Sequence, residues 1–277
     1  MVGMSRTNGP PKTGWAPARL ARFDRRVWLA VTAAVLVLIA IQLVIADTHD
    51  WYGHWTLDYQ LYMDVTRRWL GGGEFYQSWQ LAGPYGVAEP YGSILYPPVA
   101  IWLFGTFTVL PAVLWWILPF GAVAWTVWRH DPEPWTWPVM ALCIAWPPSI
   151  VKLVTGNPVM WAVASVALGT IYAWPSVFAM LKPSVFPFAL LGLRSRGWWL
   201  GLGLLVLASL PFGAMWGTWL TTVFNARDGG LLYSIQEVPL LALPLIAWAA
   251  RRKVPAGARA GLVPARARRL WARGTAG

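Results

Sequence analysis

Residues 27–46 read VWLAVTAAVLVLIAIQLVIA, twenty consecutive apolar or neutral side chains with no glycine, proline or charge. As a helix rising 1.5 Å per residue, such a run is about 30 Å long, the thickness of a bilayer's hydrocarbon core. The rest of the chain agrees with this segment. Of 277 residues 57% are hydrophobic and only 12% charged, with 22 tryptophans, and the mean hydropathy is +0.48. A soluble chain of this length needs far more charge to cover its surface, so the expected fold class is an all-α, polytopic transmembrane helical bundle. A signal peptide is the competing reading of this segment, because Val44-Ile45-Ala46 weakly resembles a cleavage site. The run exceeds the usual apolar region of such peptides, which favours a retained first helix.

Working outward, Arg6, Lys12, Arg19, Arg22, Arg25 and Arg26 precede the apolar run, and the first eighteen or so residues are broken by proline and glycine. At the other end, eight basic residues and no acid lie between Arg251 and Arg273. Basic clusters flanking spans stay on the cytoplasmic side and meet anionic lipid headgroups there. The formal charge of +11 therefore points to membrane lipids as partners, not to nucleic acid. This divides the chain into a basic cytoplasmic segment (1–26), a membrane domain (27–250) and a basic cytoplasmic tail (251–277). Further apolar segments at about 96–110, 112–129, 135–150, 157–173, 175–193, 198–222 and 231–250 bring the expected spans to about eight. Several are short and broken by proline, which leaves room for re-entrant segments and leaves open the side on which Lys152 and Asn157 emerge. The two halves show no repeat, against an inverted-repeat transporter. The lone Cys143 excludes a disulfide framework and a thiolate metal site.

The interval from Asp47 to Pro98 is the long polar stretch of the chain. Six of the eleven acidic residues fall in it (Asp47, Asp50, Asp58, Asp64, Glu74 and Glu89), with His49 and His54. With the N-terminus inside, residues 47–95 form an extracytoplasmic loop. Its centre reads TLDYQLYMDVTRRWLGGGEFYQSW (56–79). Thr56 stands where it would cap a helix from about Leu57 to Leu70, and Leu61, Val65 and Trp69 recur at helical spacing. That helix is too short and too charged to span, and is expected to lie in the interface plane. Gly71-Gly72-Gly73 stops it, and Tyr96-Pro97-Pro98 opens the next span, where proline is tolerated in a first turn.

These residues carry a family resemblance. Asp58-Tyr59-Gln60-Leu61-Tyr62 stands soon after the first span. A glycine-rich turn, Phe75-Tyr76 and Tyr96-Pro97-Pro98 follow, then Gly156-Asn157 and Lys182-Pro183-Ser184. In this order they resemble the GT-C membrane glycosyltransferases, specifically glycosyltransferase family 87, the polyprenyl-phosphate-mannose-dependent mannosyltransferases. The likeness covers roughly residues 27–225. The chain departs from that family in having fewer spans, and in Asn157 and Ser184 where glutamine is more usual. The resemblance implies an inverting transfer of a mannose-like sugar from a polyprenyl phosphate to an extracytoplasmic lipid or glycan acceptor. The basic flanks put both termini of this multi-pass chain in the cytoplasm, and the bias toward Ala, Arg, Gly, Pro and Trp points to a bacterial plasma membrane.

Such a reaction needs a carboxylate to take the acceptor's hydroxyl proton and cations or amide donors to hold the developing phosphate charge. Asp58 is the candidate base, although an acid in a first helical turn is also explained by the helix dipole. Substrate-binding candidates are Tyr59, Tyr62, Arg67, Arg68, Tyr96, Asn157 and Lys182. Lys182 interrupts an apolar segment, and charges there are functional by default, with snorkelling as the alternative. Lys152 lies nearer a segment end and fits snorkelling better. Asp64 is expected to pair with Arg67 or Arg68. His49, His54, Asp50 and Glu89 are residue types that could hold a divalent cation, but their spacing is not diagnostic, and no metal or cofactor is predicted. No nucleotide-binding glycine pattern is present. Tyr76 and Tyr91, and the pairs Trp115-Trp116 and Trp198-Trp199, fit an interfacial aromatic belt. The rival classes are a multi-span transporter or lipid flippase, and an inactive truncated relative acting as a membrane scaffold.

Overall fold

A computed structural model describes residues 24–49, 55–86, 92–227 and 235–252. The protein is all-helical, 74% helix, with no strand among the described residues. The basic tails expected at 1–26 and 251–277 lie almost wholly outside the described residues, as do Asp50, His54, Glu89 and Tyr91.

The first helix, α1 (Arg25–His49), follows from the apolar run: nothing in it breaks a helix or competes for its backbone. Its stretch Arg25–Val44 is only 6% buried. A helix apolar all round and this exposed has no place in water and suits a bilayer. It leans on α6 (Thr136–Ala145), and Ile39 also clusters with Ile150 and Val154 of the helix that follows.

The helix α2 spans Leu57–Leu70. Its deeply buried stripe is Tyr59, Tyr62, Met63 and Thr66, at i, i+3, i+4 and i+7, with Val65 beside it. Leu61 and Trp69, expected to mark the inner face, are only partly buried at its margin. Thr56 sits at the cap position but in the left-handed region (φ 68), with no side-chain cap bond. Its hydroxyl instead accepts from Gln60 Nε2 at 2.8 Å. The helix stops at the glycines: Gly71 N–H donates to Arg67 O at 3.0 Å, and Gly72 takes φ +89, open to glycine at no steric cost.

A short helix, α3 (Ser78–Ala82), then ties the following loop down through Gln80. The Gln80 side chain donates to Tyr85 Oη at 3.0 Å and accepts from Ile94 N–H at 3.2 Å. Tyr76 donates to Tyr96 O at 2.9 Å, and burial pushes its hydroxyl well above the usual tyrosine range, so it remains a donor.

The remainder comprises α4 (Ile101–Phe107), α5 (Leu114–His130), α7 (Pro147–Thr155), α8 (Val159–Gly169), α9 (Phe186–Ala189), α10 (Arg196–Ser209), α11 (Met215–Asn225) and α12 (Val238–Ala249). The central element is α8, packed against α5, α12 and the 3₁₀ stretch Trp174–Leu181. Among the described residues one helix is long and apolar enough to cross a membrane, or up to three if each bent pair is one span. The bent pairs are α6 with α7 (66°) and Arg196–Phe212 with α11 (99°). The expectation of about eight spans, some of them re-entrant, is thus met only in its coarse form, apolar helices in an all-helical chain. Hydropathy counts residues and does not register bends, and Pro147-Pro148 at the α6–α7 break removes two backbone donors from the helix ladder. Segment 175–193 departs furthest. Pro175, Pro183 and Pro187 leave it as two 3₁₀ pieces and the four-residue α9.

The tryptophan pairs divide. Trp115 and Trp198 are buried, and Trp199 is exposed. Instead of marking an interface, Trp115 and Trp116 cap the end of α7: their indole N–H groups donate to Gly156 O at 2.8 Å and Leu153 O at 2.9 Å.

Candidate functional site

The site forms where the first turn of α2 meets the turn between α7 and α8. Gly156 closes α7 at φ +73, and a Cβ there would stand 2.9 Å from Tyr59 Cβ and 2.7 Å from the Trp116 ring. Only a glycine allows α2 this close while holding the left-handed conformation. The approach brings Thr155 and Asn157, on either side of Gly156, onto Asp58. Thr155 Oγ1 donates to Asp58 Oδ2 at 2.9 Å and Asn157 Nδ2 donates to the same oxygen at 2.8 Å. Oδ1 of Asp58 makes no hydrogen bond among the described residues and is the oxygen left to accept a proton. Two donors on one oxygen fix the carboxylate's plane.

Asn157 faces both ways. Its Oδ1 accepts from Val159 N–H at 3.0 Å, capping the start of α8, and from Lys182 Nζ at 3.4 Å. Lys182 lies between two 3₁₀ pieces in extended backbone, followed by Pro183. That break turns its side chain inward: Lys182 is 3% exposed and donates to Glu237 Oε1 at 2.6 Å. Glu237 is 2% exposed, and Lys152 Nζ stands 4.0 Å from the same oxygen. The Lys182 ammonium also lies 5.8 Å from the centre of the Tyr96 ring. A continuous polar chain thus runs Thr155–Asp58–Asn157–Lys182–Glu237–Lys152 through an apolar interior.

Beside it lies a cavity of about 660 Å³, lined by Tyr96, Trp102, Phe104, Trp161, Phe178 and Leu205 among others, with Lys182 on its wall. A cation at the edge of an otherwise apolar cavity suits a ligand with an anionic head and a hydrocarbon body. Neither Asp58 nor Asn157 lines the cavity; Asn157 joins Asp58 to Lys182 on the cavity wall.

Of the residues singled out in the sequence, Asp58, Asn157, Lys182 and Tyr96 converge here. The others lie elsewhere. Tyr59 is packed between Trp115 and Trp116, with ring centres 5.7 and 5.3 Å away. Tyr62 stacks on Phe104 at 4.8 Å and meets the Tyr96 edge at 5.2 Å. Both build the wall behind the site. Arg67 and Arg68 stand nine and ten residues beyond Asp58, about 13–15 Å along the helix axis. Arg67 pairs with Asp64 at 3.1 Å on the exposed face, and Arg68 Nε donates to Glu74 O at 2.9 Å. Thr155 and Glu237 were not candidates. For Glu237 the available signal was a lone acid heading an apolar segment; for Thr155 there was none beyond adjacency to Gly156. Among the described residues no group of three or more histidines, cysteines or acids is placed to hold a metal ion.

No family model, curated protein or solved structure matches the chain.

Proposed function

We propose that this chain is a multi-span membrane glycosyltransferase, passing a mannose-like sugar from a polyprenyl phosphate to an extracytoplasmic lipid or glycan acceptor. The observation that carries the reading is the apolar cavity with Lys182 on its wall, joined through Asn157 to the Asp58 carboxylate. The lipid chain takes the apolar cavity and its phosphate meets the Lys182 ammonium. Asp58, held by Thr155 and Asn157, faces the acceptor hydroxyl with Oδ1. As the acceptor oxygen bonds to the anomeric carbon, the bond from that carbon to the phosphate oxygen breaks. The electron pair leaves with the phosphate and the hydroxyl proton passes to Asp58. Attack opposite the leaving group inverts the anomeric centre. In this reading the short, bent helices complete about eight crossings, the loop 47–95 faces outward and both termini face the cytoplasm. The test is transfer of labelled mannose from polyprenyl-phosphate-mannose by membranes containing the chain.

A second reading, a transporter or flippase for lipid phosphates, draws support from the buried Lys182–Glu237 pair, since intramembrane ion pairs also mark transport paths. The two readings separate on the fate of the donor. A transferase leaves sugar and lipid phosphate apart, whereas a flippase moves the intact molecule and has no use for Asp58 as a base.

A further inference from the structure

Lys182, on the cavity wall, and the half-exposed Lys152 behind it do not simply add, because both face one oxygen of Glu237. Its Oε1 is 2.6 Å from Lys182 Nζ and 4.0 Å from Lys152 Nζ, and its Oε2 is buried with no hydrogen-bond partner among the described residues. In their ordinary ionic forms the three side chains sum to one positive charge. Two lysines alone would sum to two. A buried carboxylate with an unsatisfied oxygen is costly to keep, and it adds nothing to anion binding as such. Its effect is to halve the charge offered to the anion.

Resting on the donor-site reading above, we propose that Glu237 is a positioning and selecting residue that matches the cavity to a lipid phosphodiester, a monoanion, and against a lipid phosphomonoester, a dianion. One net positive charge balances a buried monoanion but leaves a dianion with one charge uncompensated in an apolar cavity, and that desolvation cost outweighs the extra attraction. The donor is a diester and the leaving group a monoester, so the selection favours substrate over product. At the moment of transfer the total charge is unchanged: the phosphate gains one negative charge and Asp58 gains a proton. When Asp58 then loses that proton to solvent, the site holds one negative charge more than it held with the donor. Asp58 lies just beyond Asn157, 2.8 Å from its amide, and its restored charge adds to the repulsion. The lipid phosphate is expelled by the charge its own formation created.

The test uses the purified full-length chain in detergent, with tryptophan fluorescence as the binding signal and three probes: dodecyl methyl phosphate, dodecyl phosphate and dimethyl phosphate. Near pH ~8 the wild type should bind the diester about tenfold or more tighter than the monoester, and dimethyl phosphate far more weakly than either. Near pH ~5.5 the preference should collapse, because a phosphomonoester loses its second charge below its ionisation near ~6 while the diester keeps its one. Glu237→Gln should reverse the preference at the higher pH. Lys152→Met, at a half-exposed side chain, should weaken both lipids, and the double variant should regain the wild-type preference. A purely structural Glu237 would move both affinities together and leave their ratio unchanged. A wild-type preference for the monoester at the higher pH, or a ratio indifferent to Glu237→Gln, overturns the proposal. Should Glu237→Gln fail to fold, undiminished diester binding in Lys152→Met overturns it equally. If dimethyl phosphate binds as well as its dodecyl counterpart, the lipid assignment falls and the proposal with it. Failure of both lipids to bind at all removes the donor-site reading itself, a result distinct from binding without selection.

Discussion

Exchanging Asp58 for asparagine separates chemistry from structure at this site. Asparagine keeps the shape, and its carbonyl oxygen can occupy the position of Oδ2, accepting from Thr155 and Asn157 as before. What is lost is the charge in those two bonds. Bonds to a charged group contribute roughly 1.5–3 kcal/mol and neutral ones about 0.5–1.5, so the pair weakens by about 2–3 kcal/mol. The favourable placement of an acid in the first turn of α2 adds about 0.3–1 kcal/mol. Asp58 is only partly buried, and solvent screening reduces both figures. The folded variant should therefore remain folded, with a modestly lower Tm. Turnover should fall much further, by about 10²–10⁴, because an amide cannot take the acceptor's proton. The assay is transfer of labelled sugar and thermal unfolding on the same purified preparation. A well-folded Asp58→Asn protein with near-native turnover would refute the assignment of Asp58 as base and leave it as a helix-start residue.

Lys182→Ala should raise the KM for donor about tenfold or more and also destabilise the protein. It strands Glu237, and removing one partner of a buried pair costs about 3–5 kcal/mol; thermal unfolding of Lys182→Ala/Glu237→Ala should recover part of that loss. Gly156→Ala forces a left-handed backbone on a residue with a side chain, about 1–2 kcal/mol, and drives its Cβ into Trp116 and Tyr59. Because Thr155 and Asn157 flank it, kcat should fall by about 10²-fold for a shift of ~1 Å, as steady-state kinetics would show. For topology, a cysteine at exposed Glu74 should react with an impermeant maleimide on intact cells, and one at exposed Arg194 should react only after permeabilisation. Glu74 is a better position than Gly72, whose φ of +89 disfavours any side chain. Protection at Glu74 would place the catalytic loop in the wrong compartment.

The helix α2 was readable to the residue because its signals are local: a polar start, a helical apolar stripe and a glycine stop. Asp58 stands out in the sequence as an acid at a helix start, Lys182 as a charge in an apolar segment and Asn157 through the family resemblance; the structure links the three in a chain, with Asn157 bonded to both of the others. Glu237 interrupts the apolar segment 231–250, but nothing in the sequence pairs it with Lys182 across 55 residues. Pairing at that range depends on how α12 packs on α8, which no periodicity encodes. Tyr59, Tyr62, Arg67 and Arg68 lie apart from that chain for a related reason. Proximity in sequence to Asp58 says nothing about helical face, and α2 turns the two tyrosines into the core while carrying the arginines a helix-length away. The bends that shorten the apolar segments come from proline positions whose angles depend on tertiary packing.

The most direct measurement of the central claim uses the purified chain in proteoliposomes loaded with polyprenyl-phosphate-mannose carrying a labelled sugar. The account predicts that label leaves the lipid phosphate and appears on an acceptor with inverted anomeric configuration, and that Asp58→Asn abolishes the transfer while donor binding persists. Label that stays on its lipid, or crosses the bilayer intact whether or not Asp58 is present, would contradict it.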